Sequence, residues 1–590
     1  MKRVTVRKKL ILLTLLLTVS VSLLAAAEVE KKVSSPLLFK EIGKPGGEFV
    51  LSLATAPETF NYYAGIDAST FTVMTNVLDS LLEANPVTQE LEPGLAKSWE
   101  VSKDGKKVTL YLRRGVKWSD GVQFTADDVI FTINNLAANP YCESNEINRL
   151  KIGEELVKFT KVDNYTVTIE MPAAYGPFLA ILSQLPMAPK HKLEKFVSKS
   201  DPGAINKAWS TGENLTNIVG TGPFKLAEYK VGQKLVLKRN PYSWRYDAKG
   251  NQLPYVDKLI YLIVANEEVN LAKFEAGELD AIEVKSNQYS YLKGKEKSGA
   301  KFTIFKCQPT KPTPSPTHIS FNFDIADPEL RAAFRNVRFR EAMDHLIDRE
   351  RIIEEVYNTL AIVSGVPVLP SNYFYNANID KYRRAFNLKK AQAILDELGY
   401  RDIDNDGIRE LPSGKDFQFT LTVGVDNQDH VDIASLLKDN MEAVGLKINL
   451  NPIKFSLVFD KALAGDFEST IMAFGNQPDP QFRKAIWQPG RPLYYFHLSA
   501  MKKDTQTPIV ENMFDWEKIV FNNFEQGQIL MDPLERKTCY DQWQEIYIKY
   551  LPVIFITKGM ELKGAKNNVG NYFINEHGVL VNTNYSVFKK

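Results

Sequence analysis

Alternating apolar and polar positions near residue 100 predict a β-hairpin. Residues 99–101 and 108–112 each alternate between the two classes, and Asp104-Gly105 lies between them. An Asp-Gly pair is a preferred hairpin turn because its backbone twist matches that of the flanking strands. We therefore expect two antiparallel strands here.

A helix should follow this hairpin. Thr125 precedes an apolar-periodic stretch that extends to about Ala138, and Asp127 and Asp128 occupy its first turn. Threonine is a favoured N-cap, and carboxylates are stabilised by the positive end of the helix dipole. The pattern predicts a helix that begins directly after Thr125.

Elsewhere, strand-like and helix-like patterns alternate along the chain. The predicted strands are 49–53, 224–226, 235–238, 255–264, 279–284, 318–323, 417–423, 447–450 and 470–474, and the predicted helices are 269–276, 337–346, 349–357, 389–398, 431–444 and 457–464. Residues 309–316 carry four prolines, which favour extended backbone, so we interpret this segment as a linker. The alternation after it predicts α/β architecture in a lobe that starts near residue 310.

Composition and charge limit the class of protein. The chain has 590 residues, of which 44 % are apolar and 24 % are charged, as in ordinary folded domains. This composition excludes disordered, collagen-like and coiled-coil proteins, and the length allows about two to four domains. With 73 Lys and Arg against 71 Asp and Glu, the chain lacks the cationic excess that binding to nucleic acid requires.

The first 27 residues have the parts of a secretory signal peptide. Five cations among residues 2–9 precede an uncharged, largely apolar stretch, 10–27, that ends in three alanines. An uncleaved membrane anchor is the alternative, because this stretch approaches the length of a membrane span. Cleavage would remove five cations and leave 68 Lys and Arg against 71 Asp and Glu, a formal charge of −3. We expect an exported soluble protein, periplasmic or otherwise extracytoplasmic, and no lipoprotein, since no cysteine follows the apolar stretch.

The three cysteines form no metal or redox motif. Cys142, Cys307 and Cys539 lie far apart, without a Cys-x-x-Cys pair or a histidine at ligand spacing. An exported protein could hold one bridge among them, but the spacing selects no pair. We expect them to pack as small apolar side chains.

Three segments resemble the family 5 extracellular solute-binding proteins of ABC importers, which include oligopeptide and dipeptide receptors. The segments are 95–129, with Arg114-Gly115-Val116-Lys117-Trp118-Ser119-Asp120-Gly121 and Phe124-Thr125-Ala126-Asp127-Asp128-Val129; 220–242, with Gly220-Thr221-Gly222-Pro223-Phe224 and Arg239-Asn240-Pro241-Tyr242; and 336–350, with Asn336-Val337-Arg338-Phe339-Arg340-Glu341-Ala342 and Ile347-Asp348-Arg349-Glu350. They follow one another in the order found in the family.

This resemblance implies a bilobal periplasmic-binding-protein fold of type II, similar to cluster C, with an additional α+β domain. Lobe I would consist of residues 28–63, 190–305 and 556–590, the additional domain of 64–189, and lobe II of 306–555. Lobes joined at a hinge suit a receptor, because a ligand that contacts both lobes shifts the equilibrium toward closure.

The resemblance also implies where a ligand binds. In the family the loop after the first strand borders the site, and here that loop contains Asn61 and Tyr62. Peptide receptors of the family carry an aspartate that pairs with the α-amine of the peptide. The matching position, counted back from Asp479-Pro480, is Asn476. A neutral amide cannot compensate a buried ammonium, but it suits hydroxyls and amides. Asp479 is a second candidate for the missing carboxylate, although its proline neighbour favours a turn.

An aromatic run after this position favours a sugar ligand. Trp487 and Tyr494 stand among amides and further aromatic residues, and aromatic faces beside polar groups suit flat hydroxylated rings. Some members of the family in thermophilic bacteria bind oligosaccharides. We expect the ligand site to contain Asn61, Tyr62, Asn476, Trp487 and Tyr494. The ligand is a small oligosaccharide or, as usual in the family, an oligopeptide, and a packing role for the aromatic residues stays open.

An acidic loop offers a site for a hard cation. Asp402, Asp404 and Asp406 alternate before Gly407, as in calcium loops, and Glu410 stands at the ninth position. The twelfth position lacks the usual glutamate. A structural calcium ion and a solvated turn are both open, and we expect no other cofactor.

No enzyme motif stands out. The six histidines are scattered, and Gly-x-Ser-x-Gly, His-Glu-x-x-His and a phosphate-binding Gly-Lys-Ser/Thr loop are absent from the sequence. A secreted hydrolase is the alternative from another class, because the two carboxylates of a glycosidase are defined by their separation in space. We expect a monomeric binding protein, not an enzyme, that delivers its ligand to the membrane subunits of an ABC importer.

Overall fold

The computed structural model describes residues 29–143, 146–153, 155–198, 200–308, 315–475, 477–576 and 578–590. The predicted secretory signal, most of the predicted linker and Asn476 lie outside these ranges. Within them, no helix combines the length and the apolar character needed to cross a bilayer.

The first large sheet has four strands in the order Phe224–Lys230, Lys234–Arg239, Lys258–Ile263 and Glu48–Leu53. The first three pair antiparallel, whereas the last two run parallel to each other. The carboxyl ends of this parallel pair therefore meet at one edge of the sheet, which is the edge where ligands bind in many open α/β sheets.

A second sheet confirms the predicted hairpin. Strands Ala96–Val101 and Lys107–Leu112 pair antiparallel, and Gly105 in their turn has φ +68°. Strands Thr166–Glu170 and Lys158–Asp163 complete a four-stranded antiparallel sheet.

The helix predicted after this hairpin is confirmed, with one irregularity. Thr125 caps the helix Ala126–Phe131 by accepting from the N–H of Asp127, and the Asp128 carboxylate accepts from the N–H of Thr125 in return. The continuation, Thr132–Ala137, is a π-helical segment.

The third large sheet has five strands in the order Lys447–Ile453, Gln418–Gly424, Ser469–Met472, His318–Phe321 and Val553–Phe555. All run in one direction except His318–Phe321, which is antiparallel to both of its neighbours. Four carboxyl ends and the amino end of His318–Phe321 therefore lie at the same edge.

The remaining elements of the described ranges are short strand pairs, one three-stranded sheet and the helices. The pairs are Lys32–Val33 with Arg245–Tyr246, Leu82–Ala84 with Leu91–Pro93, Lys151–Ile152 with Glu155–Leu156, Ala361–Val363 with Thr557–Gly559, Val569–Gly570 with Phe588–Lys589, and Phe573–Ile574 with Leu580–Val581; the sheet has the order Ala281–Glu283, Glu561–Lys566, Phe302–Cys307. The other α-helices are Ala68–Met74, Phe178–Leu182, Lys190–Leu193, Glu267–Ala276, Ser286–Lys297, Pro328–Arg335, Val337–His345, Arg349–Glu355, Leu388–Glu397, Gln428–Glu442, Phe455–Ala464, Lys484–Trp487, Asp515–Ile529 and Pro533–Tyr550.

Two large hydrophobic cores divide the described residues into two bodies. One core joins the first sheet to the antiparallel hairpin sheet, since Leu235 and Leu110 both belong to it; we call this part the first body. The other core surrounds the five-stranded sheet and includes Ile319 and Trp543; we call that part the second body. The domain limits implied by the resemblance stay a prediction.

In the described part of the chain, two adjacent segments cross between the bodies. The chain leaves the first body after Phe302–Cys307 and returns along Thr557–Gly559. The two crossing segments are hydrogen-bonded to each other, because the N–H of Thr317 donates to the carbonyl of Thr557 (3.0 Å) and the N–H of Ile556 to that of Thr317 (2.8 Å). Two adjacent crossings form the kind of connection about which two bodies can hinge.

The cysteines form no disulfide. All three carry free thiols, and Cys142 and Cys307 are buried. Cys142 packs within the core of the first body, which agrees with the expected role of a small apolar side chain.

Candidate functional site

A cavity of about 740 Å³ lies between the two bodies. The first body contributes Tyr62, Phe71, Glu146, Arg149, Tyr175 and Gln184, and the second contributes Gln477, Pro478, Gln481 and Phe482. A volume of this size is typical of small-molecule sites. Because its walls come from both bodies, a ligand here would contact both, as closure requires.

The predicted ligand loop supplies one wall residue and one supporting residue. Tyr62 lines the cavity, and its hydroxyl donates to the carbonyl of Gln184 at 3.2 Å. Its ring packs edge-on against Phe71, with 5.0 Å between the ring centroids. Burial raises the pKa of Tyr62 to about 12, so the hydroxyl remains a donor at neutral pH. Asn61 is buried behind it, where its amide donates to the carbonyl of Ile205 at 2.8 Å.

The charged groups in the first wall are paired. The Arg149 guanidinium donates to the Glu146 carboxylate at 3.1 Å and also to the side-chain oxygen of Gln184. Burial raises the pKa of Glu146, and the neighbouring Arg149 opposes that effect. The cavity therefore contains a compensated ion pair here.

Asp479 has a structural role in the second body, as a helix cap and as an ion-pair partner. It caps the short helix Pro480–Arg483 by accepting from the N–H of Gln481 at 2.9 Å. Its two oxygens also accept from the Arg536 guanidinium at 2.6 and 2.8 Å. This carboxylate therefore cannot replace the one that Asn476 lacks. Asn476 itself is outside the described part of the chain, although its neighbour Gln477 lines the cavity.

Trp487 and Tyr494 lie in the core of the second body, and neither is among the residues that line the cavity. Trp487 is 3 % exposed and meets Phe474 edge-on at 5.9 Å. Tyr494 is fully buried, and its hydroxyl donates to Glu517 at 3.0 Å. Of the two interpretations that the sequence left open, packing describes both side chains in this structure.

An aromatic row that was not predicted from the sequence lies at the carboxyl edge of the five-stranded sheet. Phe455 is 36 % exposed and stacks on Phe459 at 6.5 Å, and Phe459 meets Phe474 at 6.4 Å. Phe474 adjoins the first crossing segment, since its N–H donates to the Ser315 hydroxyl at 3.0 Å. Their positions just after the ends of parallel strands are a signal that could have identified them.

A second cavity, of about 400 Å³, lies at the carboxyl ends of the parallel strands of the first sheet. Its walls include the amides of Asn270, Gln288, Asn582 and Asn584. The charged groups around it include two ion pairs, Lys285 with Glu267 at 3.0 Å and Lys563 with Glu283 at 3.7 Å. Like the larger cavity, it presents amides beside compensated charges.

The acidic loop holds its four carboxylates close together. One oxygen from each of Asp402, Asp404, Asp406 and Glu410 lies within 4.8 Å of the others. Glu410 is buried and accepts from the N–H of Ile403 at 2.8 Å, whereas the three aspartates are exposed. Oxygen donors of this kind suit calcium. Calcium binding stays a prediction.

Comparison with known proteins places the chain in a family. A sequence model of the bacterial extracellular solute-binding proteins, family 5 Middle, matches residues 90–490. A probable ABC transporter-binding protein of Deinococcus radiodurans is 30 % identical over 80 % of this chain and 81 % of its own length. A periplasmic alpha-galactoside-binding protein of Rhizobium meliloti is 28 % identical over 72 % of this chain and 65 % of its own.

Structural similarity agrees with the sequence match. A solved structure of the oligopeptide-binding protein OppA superposes with a TM-score of 0.79 at 25 % identity, covering 96 % of this chain and 94 % of that one. The predicted α/β fold of type II periplasmic binding proteins is thereby confirmed. The chain belongs to the family 5 extracellular solute-binding proteins of ABC importers.

Proposed function

We propose that this chain is an extracytoplasmic receptor that binds a small oligosaccharide between its two bodies. It passes the ligand unchanged to the membrane subunits of an ABC importer. The family membership supports the receptor role, and the chemistry of the cavity supports the ligand class.

The pairing of charges at the cavity carries the proposal. Among the described residues of its walls, Glu146 is the carboxylate, and it is paired with Arg149. Asp479, beside the wall, is paired with Arg536. A peptide with a free α-amine needs a carboxylate of its own, because a buried ammonium without a partner is costly. A neutral ligand has no such requirement.

The uncharged wall residues suit sugar rings. Gln184 and Gln477 bring amide groups to the cavity, and Tyr175 and Phe482 bring aromatic faces. Gln481 also lines the cavity, but its amide is bonded to Gln528 and Tyr540. Amides donate to and accept from hydroxyls, and flat apolar faces contact the C–H surfaces of pyranose rings. The Rhizobium meliloti relative is named for binding an alpha-galactoside.

An oligopeptide is the second candidate. The specific observation in its favour is the similarity over nearly the whole chain to a structure named as an oligopeptide-binding protein. The Glu146–Arg149 pair would then have to separate and engage the two ends of a peptide, at the cost of breaking a partly buried ion pair.

Calorimetric titration with neutral oligosaccharides of two to four sugar units, and with peptides of two to five residues, tests the proposal. We expect saturable binding of a sugar at one per chain and no heat from the peptides. Peptide binding without sugar binding would contradict the ligand class. Incubation with labelled sugar separates a receptor, which retains intact ligand, from a hydrolase, which accumulates product.

A further inference from the structure

Gly176 of the first body packs directly against the backbone of the second body. The N–H of Gly176 donates to the backbone carbonyl of Gln528 at 2.7 Å. A Cβ atom placed on Gly176 would lie 1.9 Å from the carbonyl oxygen of Leu530 and 2.8 Å from the Arg536 side chain. Any residue larger than glycine would therefore force the two surfaces apart.

Two other contacts join the same surfaces. The hairpin turn of the first body reaches the same segment, since a Cβ on Gly105 would lie 2.8 Å from Met531. Phe482 of the second body packs against the core of the first, and the Arg149 guanidinium lies 5.9 Å from the centre of its ring. The contact thus frames the larger cavity on one side.

The residues that receive Gly176 also hold a wall of the cavity. The side-chain oxygen of Gln528 accepts from the amide of Gln481 at 3.0 Å. Arg536, which packs against Gly176, pairs with Asp479 at the start of the helix that carries Gln481 and Phe482. Gln528 and Arg536 therefore connect the contact between the bodies to the position of the ligand-facing helix.

We propose that Gly176 is a latch that holds the two bodies together, and that Gln528 and Arg536 are positioning residues through which the latch sets the cavity wall Gln481–Phe482. The latch deepens the proposed function, since it assumes that the cavity between the bodies is the binding site. It acts without touching the ligand, so it can be tested without one.

Gly176→Val tests the latch, and Gly212→Val is the matched control. A Cβ on Gly212 has only the Ser210 hydroxyl within 4.0 Å, and neither glycine has a positive φ. We expect Gly176→Val to increase the radius of gyration of the ligand-free protein in small-angle scattering. The amide hydrogens of Gln481 and Phe482 should exchange at least about tenfold faster. The melting temperature should stay near that of the control.

A scattering curve and exchange rates equal to those of the control would overturn the latch. If Gly176→Val does not fold, Gly176→Ala replaces it, because a Cβ atom alone already lies 1.9 Å from the carbonyl oxygen of Leu530 and adds less bulk. The same increase in radius is expected, and its absence overturns the proposal. Neither measurement uses a ligand, so a failure of the oligosaccharide hypothesis leaves this test unaffected.

Discussion

Asp479 and Arg536 form a buried ion pair in which both carboxylate oxygens accept from the guanidinium, at 2.6 and 2.8 Å. Charge-assisted bonds of this two-point geometry are among the strongest in proteins, and they fix the orientation of both partners. The pair anchors the helix that forms one wall of the cavity.

Removing Asp479 should destabilise the protein strongly. Asp479→Ala leaves the Arg536 charge buried without a partner, and losses of this kind cost about 3–5 kcal/mol. The control is Asp515→Ala, because Asp515 pairs with Lys518 on the surface and its side chain is 98 % exposed. We expect a large drop in the urea midpoint for the first variant and a much smaller one for the second, which loses an exposed ion pair and a carboxylate in the first turn of helix Asp515–Ile529. Equal midpoints would mean that the buried pair is not stabilising.

Substitutions at two aromatic positions should show that one side chain stabilises the fold and the other binds the ligand. Trp487→Ala empties a site in the core of the second body and should cost about 3–5 kcal/mol. Phe455→Ala removes a ring that is already 36 % exposed, so the melting temperature should change little. The aromatic row leads through Phe474 toward Gln477 of the cavity wall, so we expect Phe455→Ala nevertheless to weaken sugar binding in calorimetry. Unchanged affinity would exclude Phe455 from the site.

Asn476→Asp tests the reason for the sugar proposal. The substitution restores the carboxylate that, by the family resemblance, pairs with the α-amine of a peptide. We expect the variant to gain measurable heat with a tripeptide, and the same peptide acetylated at its N-terminus to give none. An absence of binding to both peptides would weaken the argument from the missing carboxylate.

His430 should make the protein sensitive to mild acid. Burial, together with the charge of Lys558, lowers the pKa of His430 from 6.5 to about 4. As the pH falls, the imidazole of His430 is therefore protonated near pH 6.5 in the unfolded chain but only near pH 4 in the folded chain. The contribution of His430 to stability is thus complete above pH 6.5 and is lost as the pH falls toward 4, by about 3 kcal/mol.

His430→Gln provides the measurement. Urea unfolding at several pH values between 4 and 6.5 should show a smaller loss of stability for the variant than for the natural chain. Parallel curves would show that His430 does not titrate differently in the folded and unfolded states. Because both proteins contain the same carboxylates, the contribution of these groups to the pH dependence of stability cancels in the comparison.

The calcium prediction has a direct thermal test. Adding calcium to chelator-treated protein should raise its melting temperature, because an ion that binds only the folded state stabilises it. Asp404→Asn should reduce the rise, whereas Asp515→Asn, far from the loop in sequence, should preserve it. An unchanged melting temperature on adding calcium would identify the loop as a solvated turn.

Local signals predicted many of the elements. The turn at Asp104-Gly105 and the cap at Thr125 are confirmed, because each depends on neighbours in sequence. Two long helices of the second body, Asp515–Ile529 and Pro533–Tyr550, were missed. The second begins with Asp532 as its N-cap and a proline in the first turn, a start signal that was available in the sequence.

The site was harder to predict because it depends on contacts between distant segments. Tyr62 and Gln477 face the same cavity although more than 400 residues separate them. Tryptophan is a residue type that suits a binding site, so the sequence favoured that role for Trp487. Only the packing of Phe474 and Tyr547 against it shows that it is buried. Periodicity reports which face of an element is apolar, but it does not report which body covers that face.

The continuous core of the first body limits how this molecule can move. Its two sheets cannot shift against each other without exposing apolar surface to water, so they travel as one piece. The second body is connected to the first by the two adjacent crossing segments. The hinge angle between the bodies should then set the width of the cavity, and the distance between two labels, one on each body, would report its opening.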